Sequence, residues 1–224
     1  MKIEKATIIV FVAVTFIFGL LTNANANLIV NGSFETGPDP EPTGVLELPS
    51  GSTLVDGWEV SPDAVDYIGT CWLASDGERS LDLDNSDGFG GIEQTFETNV
   101  DEVYLVTFDM AGNPYRGLED PFIKYMRVSA AGDSADFSFD TEGKGYPANM
   151  GWVTHDWQFT AISDSTTLEF YSLHTFDEGY SGACGPALDN VSVSVVHAPH
   201  SPEPATVALL GLGALSLLRR KRSV

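Results

Sequence analysis

The chain reads as an all-β, two-sheet jelly-roll sandwich flanked by two processed ends. Three observations predict this: short runs that alternate with period two, turn-forming residues in the gaps, and apolar stretches at both termini that stand apart from the acidic middle. The clearest run is 103–110. There Tyr104, Val106, Phe108 and Met110 fall on one face of an extended chain, and Val103, Leu105, Thr107 and Asp109 fall on the other.

Similar runs occupy 53–60, 64–68, 80–84, 92–98, 123–130, 135–139, 153–161, 166–173 and 188–196. Gly, Pro, Asn and Asp punctuate the gaps, and no amphipathic helical stretch of useful length interrupts them. The segment 38–49, rich in Pro, Glu and Gly, reads as a surface loop. There is no internal repeat and no linker that would split the middle into two domains.

The first end reads as a signal peptide. Lys2 and Lys5 precede an apolar run over 6–21, and Ala24-Asn25-Ala26 places small residues where a signal peptidase reads them. Cleavage after Ala26 leaves 1–26 out of the fold and makes 27–200 the β-sandwich domain.

At the other end, within 201–224, Pro202, Glu203 and Pro204 precede an apolar stretch over 205–218 and then Arg219, Arg220, Lys221 and Arg222. A helix of that length reaches only about 21 Å, against a hydrocarbon core of roughly 30 Å. A short sorting helix with transient membrane association fits it better than a permanent span, and the basic cluster is held on the cytoplasmic side. The triplet, the Gly-interrupted apolar run and the terminal arginines resemble the PEP-CTERM sorting signal of bacteria that secrete an exopolysaccharide matrix. That resemblance implies export, removal of the tail by a membrane sorting enzyme (an exosortase), and delivery to the cell surface or extracellular matrix.

Between the ends, five basic residues (Arg79, Arg116, Lys124, Arg127, Lys144) face 30 acidic ones. Such a field repels nucleic acid and anionic lipid and keeps a chain soluble in a salty medium. Four Trp and the repeated alternating runs supply the apolar surface that a disordered acidic chain lacks.

The ordered set 27–35 (Asn-Leu-Ile-Val-Asn-Gly-Ser-Phe-Glu), Gly57-Trp58, 65–68, 90–94, 104–108, 111–114 and 184–191 (Cys-Gly-Pro-Ala-Leu-Asp-Asn-Val) resembles the choice-of-anchor C proteins of bacterial envelopes. These are relatives of the plant cell-wall group called domain of unknown function 642. The resemblance covers nearly the whole middle and implies a galactose-binding-like jelly roll similar to carbohydrate-binding modules. It implies association with extracellular polysaccharide as the function. The plant members carry two such domains and this chain has room for one.

Four side chains stand out as candidates for a sugar surface: Trp72, between Cys71 and the Asp76-Gly77 turn, and Asn113, Tyr115 and Arg116 in a Gly-Asn-Pro-Tyr-Arg-Gly loop. Aromatic faces stack on sugar C–H surfaces, while amides and charged groups bond the hydroxyls. The alternative for each is structural, a core tryptophan and an Asn-Pro turn.

Cys71 and Cys184 form an even pair in an oxidising compartment, which favours a disulfide over two buried thiols. His155, His174, His197 and His200 show no metal-ligand spacing, and no Gly-x-Ser-x-Gly elbow is present, so a non-catalytic module is expected; the alternatives are a structural or adhesive matrix protein and a glycan-cleaving enzyme using two carboxylates brought together in space.

The last expectation is a structural calcium ion. Asp189 shares its parity with Val191, Val193 and Val195, so if the valines face the core the carboxylate does too, and it then needs a counter-charge. In the galactose-binding-like modules that this chain resembles, a glutamate after the N-terminal Asn-x-x-Phe segment and an aspartate of the final strand hold calcium. Glu35 and Asp189 stand at the matching positions. The alternative has Asp189 accepting backbone N–H bonds at a strand end.

Overall fold

Alternation governs the strands as the sequence predicts. Tyr104, Val106, Phe108 and Met110 are all buried to 1% exposure or less, while Val103, Leu105 and Thr107 remain half-buried. The computed structural model describes residues 26–40, 43–85, 88–115, 122–174 and 183–196. The N-terminal apolar run, Arg116, His197, His200 and the whole sorting tail lie outside them.

Among the described residues, thirteen strands run in chain order: β1 (Val45–Leu48), β2 (Glu59–Val60), β3 (Val65–Ile68), β4 (Ser80–Asp82), β5 (Asp84–Asn85), β6 (Gly88–Phe89), β7 (Gly91–Glu97), β8 (Val103–Gly112), β9 (Ile123–Ala130), β10 (Asp133–Asp140), β11 (Val153–Thr160), β12 (Ser165–Ser172) and β13 (Pro186–Val195). A six-stranded sheet has the order β1-β3-β4-β13-β8-β11, and a five-stranded sheet the order β10-β9-β12-β7-β2. The pairings within both are antiparallel, and β5 and β6 form a separate short ribbon. Among the described residues there is no helix.

The core lies between the two sheets. Phe108 of the six-stranded sheet meets Phe137 and Phe170 of the other edge-on, with ring centroids 5.0 Å apart in each case. Leu168, Val128, Met126 and Ile92 close the same layer. Removing a core ring of this kind costs about 3–5 kcal/mol, so Phe108 is one of the positions that hold the sheets together.

Two expectations change. The segment 38–49 is not all loop, because Val45–Leu48 forms the edge strand β1 against β3. Conversely, the run at 53–60 contributes only Glu59 and Val60 as strand. Gly57 turns the chain at a φ of 85°, and backbone bonds tie Gly51 and Ser52 to Val60, so that stretch folds into a loop.

The two ends of the domain meet. The Leu28 N–H donates to Val193 O and the Val191 N–H to Gly32 O, which lays the opening segment along β13. A Cβ on Gly32 would sit 1.9 Å from Val191 O, so only glycine permits this approach. Phe34 then packs 5.3 Å from the Trp58 ring, and the Trp58 indole N–H donates to Asn31 O. The opening and closing motifs of the sequence therefore form a single structural joint.

Candidate functional site

The end of the sandwich where β8 leaves and β13 enters gathers three of the four sugar-binding candidates. Pro186 pairs with Gly112, and the Asn113 N–H donates to Gly185 O at 2.9 Å, which fixes Asn113 at the rim. Its Nδ2 donates to Asp82 Oδ2 at 2.7 Å. Its Oδ1 accepts from the Tyr115 N–H at 2.9 Å and from the Tyr146 hydroxyl at 2.6 Å. One amide thereby holds the Tyr115 backbone and the Tyr146 hydroxyl.

Tyr115 is 62% exposed and Tyr146 is 42% exposed, with ring centroids 6.4 Å apart. Trp72 lies beneath Tyr146, stacked at 6.0 Å, and is itself buried, its indole N–H donating to Ser80 Oγ at 2.8 Å. Trp72 thus supports the platform from below and takes no part in its outer surface. The expectation that it contacts sugar directly is corrected by this burial. Arg116 lies outside the described residues.

Tyr146 was not legible as a candidate. It is presented by a tight turn in which Gly145 and Asn149 exchange backbone bonds, and Leu73 N–H to Pro147 O and Trp152 Nε1–H to Leu73 O tie that turn to the Trp72 loop. These contacts join 145–152 to 72–73, a pairing that no local pattern announces. The only signal was an aromatic residue between Gly145 and Pro147.

Below the platform is a buried acidic cluster. Asp82 Oδ1 accepts from the Gly185 and Asp84 N–H groups at 2.9 and 3.1 Å, and Asp84 Oδ2 lies 2.6 Å from His174 Nδ1. Burial, reinforced by Asp84, holds the Asp82 carboxyl well above the usual carboxylate range. Burial, then Glu47 and Asp84, pushes Asp66 up to about 7. Burial followed by Asp82 also raises Tyr146, so its phenol stays a neutral donor to Asn113. Asp82 and Asp84 are closed to solvent at 1% and 0% exposure and act as anchors for the surrounding loops.

Glu35 and Asp189 converge on one turn. The Glu78 and Arg79 N–H groups donate to Glu35 Oε1 at 2.8 and 2.7 Å, and the Ser75 and Asp76 N–H groups donate to Asp189 Oδ2 at 2.7 and 2.9 Å. Between them Gly77 has a φ of 72°, and a Cβ there would lie 2.3 Å from Glu35 Oε1. Asp189 is fully buried, but not through the expected parity with the valines: a bulge between Asp189 and Ser192 sets it opposite Asp109, on the face away from Val193 and Val106, where the Ser75–Asp76 turn covers it, and burial pushes its pKa up to about 7. Its cross-strand partner Asp109 is also buried. Burial works to raise Asp109, but hydrogen bonds from Ser75, Thr154 and Asn190 outweigh it and leave the group lowered. Among the described residues, no group of three or more His, Cys, Asp or Glu side chains is placed to hold a metal ion.

Cys71 and Cys184 are carried as two thiols, where the sequence favours a disulfide. Both stand within electrostatic reach of Tyr146.

These features define a two-sheet jelly-roll sandwich with an aromatic loop platform at one end. The family model described as a protein of unknown function, DUF642, matches residues 27–194, and the chain belongs to that family. A PEP-CTERM protein-sorting motif matches residues 202–222, which marks the chain as exported.

Halomucin of Haloquadratum walsbyi is 31% identical over 207 residues, covering 91% of this chain and 2% of halomucin. Protein DUF642 L-galactono-1,4-lactone-responsive gene 1 of Arabidopsis thaliana is 31% identical over 184 residues, covering 76% of this chain and 46% of that protein. The chain thus spans about half the length of its plant relative and a small fraction of halomucin. Among solved structures, TmCBM61 in complex with β-1,4-galactotriose matches at 17% identity and a TM-score of 0.47, over 76% of this chain and 99% of that one. A family 35 carbohydrate-binding module from Clostridium thermocellum matches at 14% and 0.42, over 66% of this chain and 97% of that one.

Proposed function

We propose that this protein is a non-catalytic saccharide-binding module of the cell surface or extracellular matrix, and that it associates with extracellular polysaccharide through Tyr115 and Tyr146. The observation that carries the reading is the pair of exposed rings that meet over Asn113, whose amide takes the Tyr115 N–H and the Tyr146 hydroxyl. Two tilted rings offer stacking faces to the C–H surfaces of adjacent sugars. The support beneath them is rigid, because Trp72, Asn113 and Asp82 are buried and hydrogen-bonded, so little ordering remains to be done on binding. A glycan array on the mature protein, repeated with Tyr115→Ala, tests the reading. Signals on particular glycans that vanish in the variant are expected, and a blank array or an unchanged variant would leave only a structural or adhesive matrix role.

Calcium at Glu35 and Asp189 belongs to the same reading as a structural ion. Its support is the convergence of two carboxylates, from opposite ends of the domain, on the 75–79 turn. A hard cation suits such oxygen donors and would offset the buried charge of Asp189. The sorting tail is proposed as the substrate of a membrane sorting enzyme that removes it.

A further inference from the structure

The outer face of the five-stranded sheet is built unlike an ordinary solvated face. Its outward positions fall into rows that run across the strands. One row is Asp136–Arg127–Tyr171–Gly91 and the next is Ser134–Ser129–Glu169–Glu93–Glu59, each residue paired with its neighbour in register. In the first row Arg127 is clamped on Asp136 by two bonds, Nε to Oδ1 at 2.5 Å and NH2 to Oδ2 at 2.7 Å, and its NH1 lies 3.4 Å from the Tyr171 hydroxyl. Gly91, opposite Tyr171, is buried, and a Cβ there would lie 2.6 Å from Ser61 O, so this end of the row is closed by the Ser61 backbone. Tyr125, on the next outward position of β9, is 45% exposed, and its ring meets His174 edge-on at 6.4 Å. The face therefore offers two tyrosines around a cation whose charge Asp136 already neutralises.

In the second row three glutamates stand side by side on β12, β7 and β2, roughly 4.8 Å apart from strand to strand. Like charges directly opposite one another destabilise a sheet. Ser129 donates to Glu169 at 3.0 Å, while Arg79 pairs with Asp39, Arg127 with Asp136, and Lys144 lies over Phe139. The row ends in a cleft of about 310 Å³ lined by Thr53, Gly57, Glu59, Glu93 and Thr95, at the lower end of the size range of small-ligand sites. Stacking faces, a cleft and an array of carboxylates thus share one surface.

We propose that this face is a second saccharide-binding surface and that its occupant is a polysaccharide of amino sugars bearing free ammonium groups. Tyr125 and Tyr171 stack on the pyranose faces, and Glu169, Glu93 and Glu59 pair with the ammonium groups of successive residues. The charge chooses the ligand: a neutral or N-acetylated polymer leaves the glutamate row uncompensated, and an anionic one is repelled. This surface is separate from the Tyr115–Tyr146 platform, and a module holding chains at both would cross-link a matrix.

The test is isothermal titration of the mature protein with glucosamine hexasaccharide and with N-acetylglucosamine hexasaccharide. Glucosamine hexasaccharide should bind at least tenfold more tightly than its N-acetylated counterpart. The double variant Glu93→Gln/Glu169→Gln should lose at least tenfold in that affinity while melting no lower than wild type, because it removes repulsion. Tyr125→Ala should lose affinity as well. Two controls separate the explanations. Asp101→Asn/Glu102→Gln removes the same charge in the turn before β8 and should change nothing; an equal loss there would assign binding to net charge and overturn the proposal. Tyr115→Ala should leave glucosamine binding intact, so failure of the platform and failure of this face are distinguishable. Equal affinities for the two hexasaccharides, or an unaffected Glu93/Glu169 double variant, would also overturn it.

Discussion

Glu35 and Asp189, which come from the two ends of the domain, bond the two halves of the same turn: Glu35 takes the N–H groups of Glu78 and Arg79, and Asp189 those of Ser75 and Asp76. The turn is a joint through which the first and last segments of the fold depend on each other. An ion held there binds only the folded chain, so the melting temperature is expected to rise with calcium concentration. Chelator should lower it in the wild type and have no further effect in Asp189→Ala, which already melts lower. Differential scanning calorimetry on protein shown to be metal-free checks this, and coincident wild-type curves with and without calcium would remove the ion from the account.

The platform makes a sharper demand on two tyrosines. Tyr115→Ala removes an exposed ring and should change stability by less than about 0.5 kcal/mol, yet reduce glycan affinity by about tenfold or more, equivalent to about 1.4 kcal/mol. Tyr146→Phe keeps its stacking on Trp72 but leaves Asn113 Oδ1 one donor short. It should bind more weakly than wild type and more strongly than Tyr146→Ala. An order of affinity other than this, in proteins of comparable melting temperature, would show that the rings are not the contact surface.

Stability should also depend on pH in a direction unusual for carboxylates. Asp66 is pushed up to about 7 from an ordinary 3.8, by burial first and then by Glu47 and Asp84. Between those values the folded state holds a proton that the unfolded chain has released, so stability falls as pH rises through that window and is highest below it. Asp82 is shifted in the same direction. Asp66→Asn carries no ionisable group and should show a flatter profile, melting above the wild type at pH 8. Parallel melting profiles for the two proteins between about pH 4.5 and 8 would contradict the assignment.

Processing is checked by intact mass. Material recovered from the exporting host is expected to begin at Asn27 and to lack the residues that follow the Pro202-Glu203-Pro204 triplet. A mature species that still carries Arg219 to Arg222 would rule out removal of the tail.

What was legible in the sequence was what depends on local pattern. Period-two alternation placed β8, β9, β11 and β12 to within about two residues, whereas the parity of β13 fails at Asp189, because a bulge before Ser192 turns that side chain to the face opposite Val193. What was hidden depends on contacts between distant loops. β1 lies in a segment whose Pro and Gly content masks a four-residue edge strand, and Tyr146 becomes a platform residue only because Asn113 and Trp72 reach it from other loops. Trp72 was found for the wrong reason, since its flanking turn suggested exposure while its indole N–H is spent on Ser80 inside the core. The glutamate row is invisible along the chain because each of its members sits on a different strand.

The pairing of β13 with β8 has a mechanical consequence. Gly112 and Pro186 meet at the platform end, Tyr104 and Val195 at the other, and ten residues of strand place about 30 Å between them. The opening segment runs beside Val193 at the end where the chain passes Val196, so both ends leave the domain opposite the tyrosines. If the protein is tethered by its C-terminus and gripped by a polymer at the platform, the tension runs lengthwise along β13. β8 pairs with that strand from Pro186 to Val195, while β4 meets it only at Ala187 and Leu188, so the pull is resisted mainly by one row of hydrogen bonds loaded together in shear instead of one after another in peeling. The geometry is that of a tension member whose load-carrying strand lies between its anchor and its grip.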